Sequence, residues 1–383
     1  MRHDAIVVGG GAAGLTAAAY LCRSGHQVLL CEQNEKTGGL VTSFSDRGFT
    51  FDAGIRAFEN CGILLPMLRQ LGIDLELQSS PVAISIGRER IHLRSRESLA
   101  DYEQLLARFF PDEQPAIRRI MQEIETIIGY MDVIYGIDNP LFMEIAADKD
   151  YLMKTLLPWL WQYQKKMRKV ARLQQPVNVF LRRFTNHQAL IDMITQHFFT
   201  DTPTFFALSY FGLYLDYSYP RGGTGVLAEK LTADILARGG TILTQTAIRS
   251  VDPAAHQIQA ADGRSFTYRQ LLWAADSRRL YQAVAASGRT LPRKLVRHKQ
   301  QIDDQAAGES VLTIFLATGI EPAQVRDRCG PHAFHTPVTD GLVASGLRCF
   351  PQASGKEDRI RQIKAYLAAT TYEIACPVLR DPT

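Results

Sequence analysis

The segment from Asp4 to Gly39, DAIVVGGGAAGLTAAAYLCRSGHQVLLCEQNEKTGG, constrains this chain more than any other. Ala5 to Val8 is a short, β-branched apolar run of the kind that forms a fully buried parallel strand. Gly9, Gly11 and Gly14 follow it in the spacing G-x-G-x-x-G. In that spacing the first glycine allows a tight turn, the second lets the backbone approach a pyrophosphate, and the third admits close packing of helix on strand. The alanine-rich stretch from Ala12 to Cys22, headed by Ala12 and Ala13, is predicted helical, and its first N–H groups would point at an anion held in the turn. Gly25 ends that helix, Gln27 to Cys31 reads as a second strand, and Glu32, with Gln33 beside it, closes the unit. A carboxylate at that place accepts hydrogen bonds from a ribose. Glycine-rich turns alone are common. Strand, turn, helix and acid together predict dinucleotide binding.

The next residues choose the dinucleotide. Lys36-Thr37-Gly38-Gly39-Leu40-Val41-Thr42 resembles the R-x-G-G-x-x-[ST] signature of FAD-dependent amine oxidases, protoporphyrinogen oxidases and carotenoid desaturases, with lysine in the arginine position. Two more glycines permit close backbone approach, and a cation there can neutralise phosphate charge. The acid at Glu32 argues against NADP, so FAD is the expected cofactor. Gly48 to Phe51, running into Asp52-Ala53-Gly54, resembles the F-D-x-G segment that returns toward the flavin in the same families. Asp52 is read as a turn-fixing acceptor, and Arg56 either faces the flavin or substrate or is a surface arginine. Tyr219-Pro220-Arg221-Gly222-Gly223-Thr224-Gly225 and the run Leu271 to Asp276 resemble the blocks by which carotenoid desaturases and isomerases re-enter the FAD domain. That likeness implies a bend at Asp276 close to the cofactor. Tyr372 to Thr383 resembles the end segment of phytoene-desaturase-like proteins.

The expected fold is α/β. A Rossmann-like FAD-binding domain is built from discontinuous segments, 1–74 and 216–290, and a mixed α+β substrate domain takes 75–215 and 291–383, with a helical membrane- or substrate-facing part. A hairpin is expected over Val82–Leu93, helices over Ser98–Phe110 and Pro115–Tyr130, a helical run from Val179 to Phe211, and a continuous apolar strand from Ser310 to Ala317. The family likeness also implies a second glycine-bearing flavin motif, which nothing after Asp276 supplies, so a truncated form is expected. By resemblance the function is an FAD-dependent oxidoreductase that desaturates or isomerises a long apolar polyene by hydride transfer to flavin. Three alternatives stay open: an amine or porphyrinogen oxidase, a retinoid-saturase-like reductase, and a non-catalytic membrane-associated remnant. No catalytic acid or base is assigned.

A net charge of +4 is too mild to indicate a nucleic-acid partner. The opening strand leaves no room for a signal peptide, no apolar run reaches membrane-spanning length, and the cysteines form no C-x-x-C, so reduced thiols in a cytoplasmic protein are expected. His332 and His335 have H-x-x-H spacing between Gly330, Pro331 and Pro337, which reads as a loop and not a metal site. Residues 151–172 combine Trp159, Trp161 and Tyr163 with Lys165, Lys166, Arg168, Lys169 and Arg172, and no acid occurs between Asp150 and Asp192. That pattern suits either a segment lying in the interface of an anionic membrane, which would place the protein peripherally on it, or a core helix followed by a solvated basic face.

Overall fold

The computed structural model describes residues 2–59, 62–142, 149–288, 290–305, 311–347 and 355–381. The expectations for Cys61, Cys349, Ser310 and the last two residues lie outside the described residues. By internal packing the chain divides into two compact units. One comprises Met1–Arg56, Leu68–Leu77 and Pro220–Ala317; the other comprises Ala57–Met67, Gln78–Tyr219 and Thr318–Thr383.

The first unit is built on Arg2–Val8, whose last four residues are buried. It pairs in parallel with Val28–Cys31 on one side and Ser265–Trp273 on the other. Thr241–Leu243 extends the parallel set beyond Val28–Cys31, and Gln257–Ala260 and Ile248–Asp252 continue from Ser265–Trp273 as an antiparallel meander. Among the described residues this makes a six-stranded sheet. Ile6, Val8, Leu29, Cys31, Ile258, Tyr268 and Val284 form part of its core. The helices Ala12–Arg23 and Val226–Ala237 pack on each other, so the end of the parallel strands, the first helix and the returning helix meet at one place.

Among the described residues the second unit has a four-stranded sheet in the order Tyr372–Ala375, His332–Thr336, Val82–Ile86, Glu89–Leu93. Its large core includes Val82, Ile84, Leu93, Tyr102, Leu105, Ile120, Ile124, Ile127 and Phe211. The apolar stripe of Gln114–Tyr135, at helical spacing, is therefore core.

Three expectations are corrected here. The run from Val179 to Phe211 is not one helix but follows Val177–Leu181 with Gln188–Thr195 and Thr204–Leu213. His187 caps the second by accepting from the Leu190 N–H, Asp201 has a φ of 57°, and the Thr204 hydroxyl donates to the Gln175 carbonyl at 2.8 Å. Local side-chain bonds thus compete with helical ones. His332 and His335 stand on a strand, not in a loop: Gly330-Pro331 and Pro337 bracket five residues rather than breaking them. Three positions apart, the two rings point to opposite faces. His332 is buried with its Nδ1 on Arg380, while His335 Nδ1 meets Ser85 Oγ at 2.8 Å. Residues 311–317 form no strand and are largely exposed. Both edges of His332–Thr336 are already paired, so the apolar run has no place beside it.

His197 lies partly buried among Phe198, Phe211, Tyr214 and Phe334, the nearest ring centroid at 5.1 Å. Burial pushes its imidazole down from 6.5 to about 4. The folded value lies below the unfolded one, so this contribution is fully present above pH 6.5 and is lost as pH falls toward 4. The difference corresponds to about 3 kcal/mol. Urea denaturation across that window should show a steeper loss of stability for the wild type than for His197→Phe. Equal slopes would refute the assignment.

Candidate functional site

The parallel strand Arg2–Val8 delivers the chain into the glycine turn, where the Gly9 N–H donates to the Cys31 carbonyl at 2.8 Å and the Ala274 N–H donates to the Val8 carbonyl at 2.8 Å. Gly11 is the N-cap of Ala12–Arg23 in an extended conformation, so Ala12 and Ala13 head the helix. Gly14 lies directly over the turn: a Cβ there would stand 1.9 Å from the Gly9 carbonyl oxygen. Glycine is required at that position by contact.

Glu32 is buried, with Oε2 accepting from the Gly10 N–H at 2.6 Å and Oε1 from the Asn34 N–H at 2.8 Å. Each oxygen keeps a further lone pair. Gly10, unassigned in the sequence reading, belongs to this arrangement: a Cβ on it would meet the Glu32 side chain at 3.0 Å. Gln33 is exposed and accepts from Arg279, in Ser277–Ala286, at 2.7 Å. Beneath the turn, burial pushes the Cys31 thiol up to about 12, leaving it protonated and unreactive.

The lysine-bearing loop closes over this turn. The Gly38 N–H donates to the Gly10 carbonyl at 2.7 Å, and Thr37 Oγ1 lies 2.9 Å from Thr232 Oγ1 on the returning helix. Gly38 has a φ of +115°, which L side chains rarely adopt. A Cβ on Gly39 would approach the Gly11 Cα at 3.2 Å. Lys36 and Leu40 are exposed on either side. A Cβ on Gly11 would meet nothing within 4 Å. The turn is therefore tight at its base and open above the helix N-terminus, which fits a pyrophosphate. The glycines, Ala12 and Ala13 N–H groups and Glu32 fit a dinucleotide.

The flavin-containing amine oxidoreductase family matches residues 12–319. The chain belongs to that family. The family is one of flavin-containing oxidoreductases, and membership gives FAD as the cofactor. Among curated relatives, all-trans-retinol 13,14-reductase of Homo sapiens is 29% identical over 267 residues, covering 65% of this chain and 42% of the relative. Prolycopene isomerase 1 of an Oncidium hybrid cultivar is 26% identical over 294 residues, 69% of this chain and 47% of the relative. A 4,4'-diapophytoene desaturase of Staphylococcus haemolyticus is 54% identical over 48 residues, 12% of this chain and 10% of the relative. The chain spans less than half the length of these relatives. Among solved structures, a putrescine oxidase double mutant superposes with a TM-score of 0.55 at 14% identity, covering 97% of this chain and 84% of its own. At that identity the likeness shows the α/β fold alone.

The remaining residues of this flavin family member divide by role. Arg56 donates to the carbonyls of Asp52 at 2.6 Å and Gly54 at 2.8 Å, and to Thr313 Oγ1 at 3.2 Å. Its guanidinium braces the F-D-x-G turn and ties it to residues 311–317. Asp276 caps Ser277–Ala286 by accepting from the Arg278 N–H at 2.9 Å. Asp52 joins Ser43 and Thr224 in a network that sequence spacing does not reveal, since the partners are brought together only by the fold.

Proposed function

We propose that this chain is an FAD-dependent oxidoreductase acting on a long apolar polyene, by desaturation or isomerisation. Gly9, Gly11, Gly14, Gly38 and Gly39 would shape the backbone around the pyrophosphate, Ala12 and Ala13 would donate N–H groups to it, and Glu32 would hold the ribose. Gln33, Lys36, Leu40, Arg56 and Asp276 belong to the same proposed site as flanking groups. Bound there, FAD supplies two-electron chemistry, taking up or returning a hydride. The protein's part is to orient the chain and exclude water.

One observation carries the apolar substrate. Phe44, Phe51 and Phe315 form an aromatic cluster with centroids 4.9–5.5 Å apart. Leu40, Phe49, Ile314, Phe315 and Leu316 are exposed large apolar side chains on the same unit. Leu40 follows Gly39 directly, so the apolar surface is continuous in chain with the glycine turn. Exposed apolar surface of this kind supports a site for an apolar ligand. The retinoid and carotenoid names of the relatives support the same class. The retinol reductase likeness, over 65% of the chain, favours a second reading in which electrons run from flavin to polyene.

Titration with FAD should give stoichiometric binding with quenched flavin fluorescence. Adding an apolar polyene anaerobically should then bleach the oxidised flavin if the chain desaturates. A shortened polyene chromophore with pre-reduced flavin marks the reductase, and a shifted spectrum without net flavin reduction marks the isomerase. Bleaching by amines alone would overturn the proposal. We extend the reading to a peripheral membrane contact through residues 151–172; among the described residues no helix is long and apolar enough to cross a membrane.

A further inference from the structure

Among the described residues, Leu157–Val170 packs within the second unit through one side. The Trp159 indole N–H donates to the Val133 carbonyl, and Trp159 and Tyr163 stack with centroids 4.6 Å apart. Val170 is buried, and the Lys166 and Lys169 ammonium groups lie 4.9 and 5.4 Å from the Tyr130 ring of Gln114–Tyr135. The opposite side carries Leu157, Leu160 and Trp161 at 46%, 40% and 68% exposure, and Met153 in the preceding turn at 62%. These positions recur at helical spacing and make one outward apolar ridge. Along the same ridge toward the C-terminus come exposed Lys165, Arg168 and Arg172. Lys165 Nζ stands 5.0 Å from the Trp161 ring. Asp150 is held by Lys154 at 2.8 Å, and no acid follows until Asp192.

We propose that this ridge seats the protein on an anionic lipid bilayer, with Met153, Leu157, Leu160 and Trp161 entering the headgroup–acyl boundary and Lys165, Arg168 and Arg172 on the phosphates. The helix has fourteen residues, too few to span, so it lies in the interface plane. Tryptophan at the apolar end suits that boundary, with a ring that is apolar and an N–H that wants water. A second copy of the chain is a poor occupant. A two-fold contact through this ridge sets Lys165, Arg168 and Arg172 either against the same cations of the second copy or against its apolar Leu157 and Trp161, with no acid of the ridge to receive them in either case. The inference extends the proposed function, in which the substrate is a polyene that partitions into bilayers.

The test uses the full 383-residue chain and sedimentation with phosphatidylcholine vesicles, with and without phosphatidylserine. Binding should require phosphatidylserine and weaken with salt. Replacing Lys165, Arg168 and Arg172 by glutamine should weaken it about a hundredfold, from roughly fivefold per cation. Leu157→Gln with Trp161→Gln should reduce it at every salt concentration. All five side chains are exposed, so thermal melting should not move. Lys166 and Lys169 are left intact because they pack on Tyr130. Equal binding to both vesicle types, no binding, or binding indifferent to both variants would overturn the proposal. A dimer in solution that Trp161→Gln dissolves would do so in favour of a second copy. No flavin or substrate enters the assay, so vesicle binding without polyene turnover sinks the proposed chemistry alone, and the reverse sinks only this surface.

Discussion

Gly14→Ala is expected to weaken FAD binding by about ten- to a hundredfold and to lower stability by about 1–3 kcal/mol. Helix propensity argues the opposite sign. Alanine in a helix is favoured over glycine by about 1 kcal/mol, and Gly14 lies inside Ala12–Arg23. Contact decides. The new Cβ would stand 1.9 Å from the Gly9 oxygen, 3.1 Å from its carbonyl carbon and 3.3 Å from Ala274 Cβ. Gly9 has little room to retreat, because its own Cβ position is 2.9 Å from the Ala274 carbonyl. The helix start must move instead, taking the N–H groups of Ala12 and Ala13 away from the pyrophosphate. Flavin fluorescence titration and thermal melting read the two effects separately. A variant that binds FAD as the wild type does and melts higher would show that propensity governs, and that the turn is slack.

The parts of this protein that could be read from sequence are those whose chemistry is local. Ala5–Val8, the three glycines and Glu32 lie within one βαβ unit, and each residue type has a single use there. The hairpin Val82–Ile86 with Glu89–Leu93 and the helix Gln114–Tyr135 followed from period alone. What escaped depends on partners distant in sequence. The bond between Gly10 and Glu32 crosses 22 residues, and Asp52 reaches Thr224 across 172. Val311 to Ala317 has the composition of a buried strand, but burial needs a neighbour, and composition does not say whether one is supplied. Phe315 instead meets Phe44 and Phe51 on the F-D-x-G hairpin. The bracket of Gly330, Pro331 and Pro337 signals breaks in the chain, and a five-residue strand fits between them. The order in which breakers occur is legible; the distance they leave free must be read together with it.

Asp52→Ala should be the most costly single change on the first unit outside the glycines, at about 3 kcal/mol. The carboxylate is 4% exposed. Its Oδ1 accepts from Ser43 Oγ at 2.9 Å, and from the Thr224 N–H and Oγ1, both at 2.8 Å. Ser43 Oγ in turn accepts from the Gly225 N–H at 3.0 Å. One oxygen thus joins the antiparallel pair Ser43–Asp46 and Phe49–Asp52 to the turn before Val226–Ala237, which has no backbone ladder with that pair among the described residues. Alanine leaves a buried N–H with no acceptor, whereas the two hydroxyls can rotate toward other partners, so the cost is less than three full desolvation penalties. Asp52→Asn keeps an oxygen where Oδ1 stands and should recover more than half of the loss. Thr224→Val, combined with Asp52→Ala, should cost less than the sum of the two alone, because both remove the same bond. Urea denaturation followed by tryptophan fluorescence measures all four. If the asparagine and alanine variants fall equally, the charge and not the acceptor geometry holds the network. If the double variant is additive, the hydrogen bonds at Oδ1 do not join these segments.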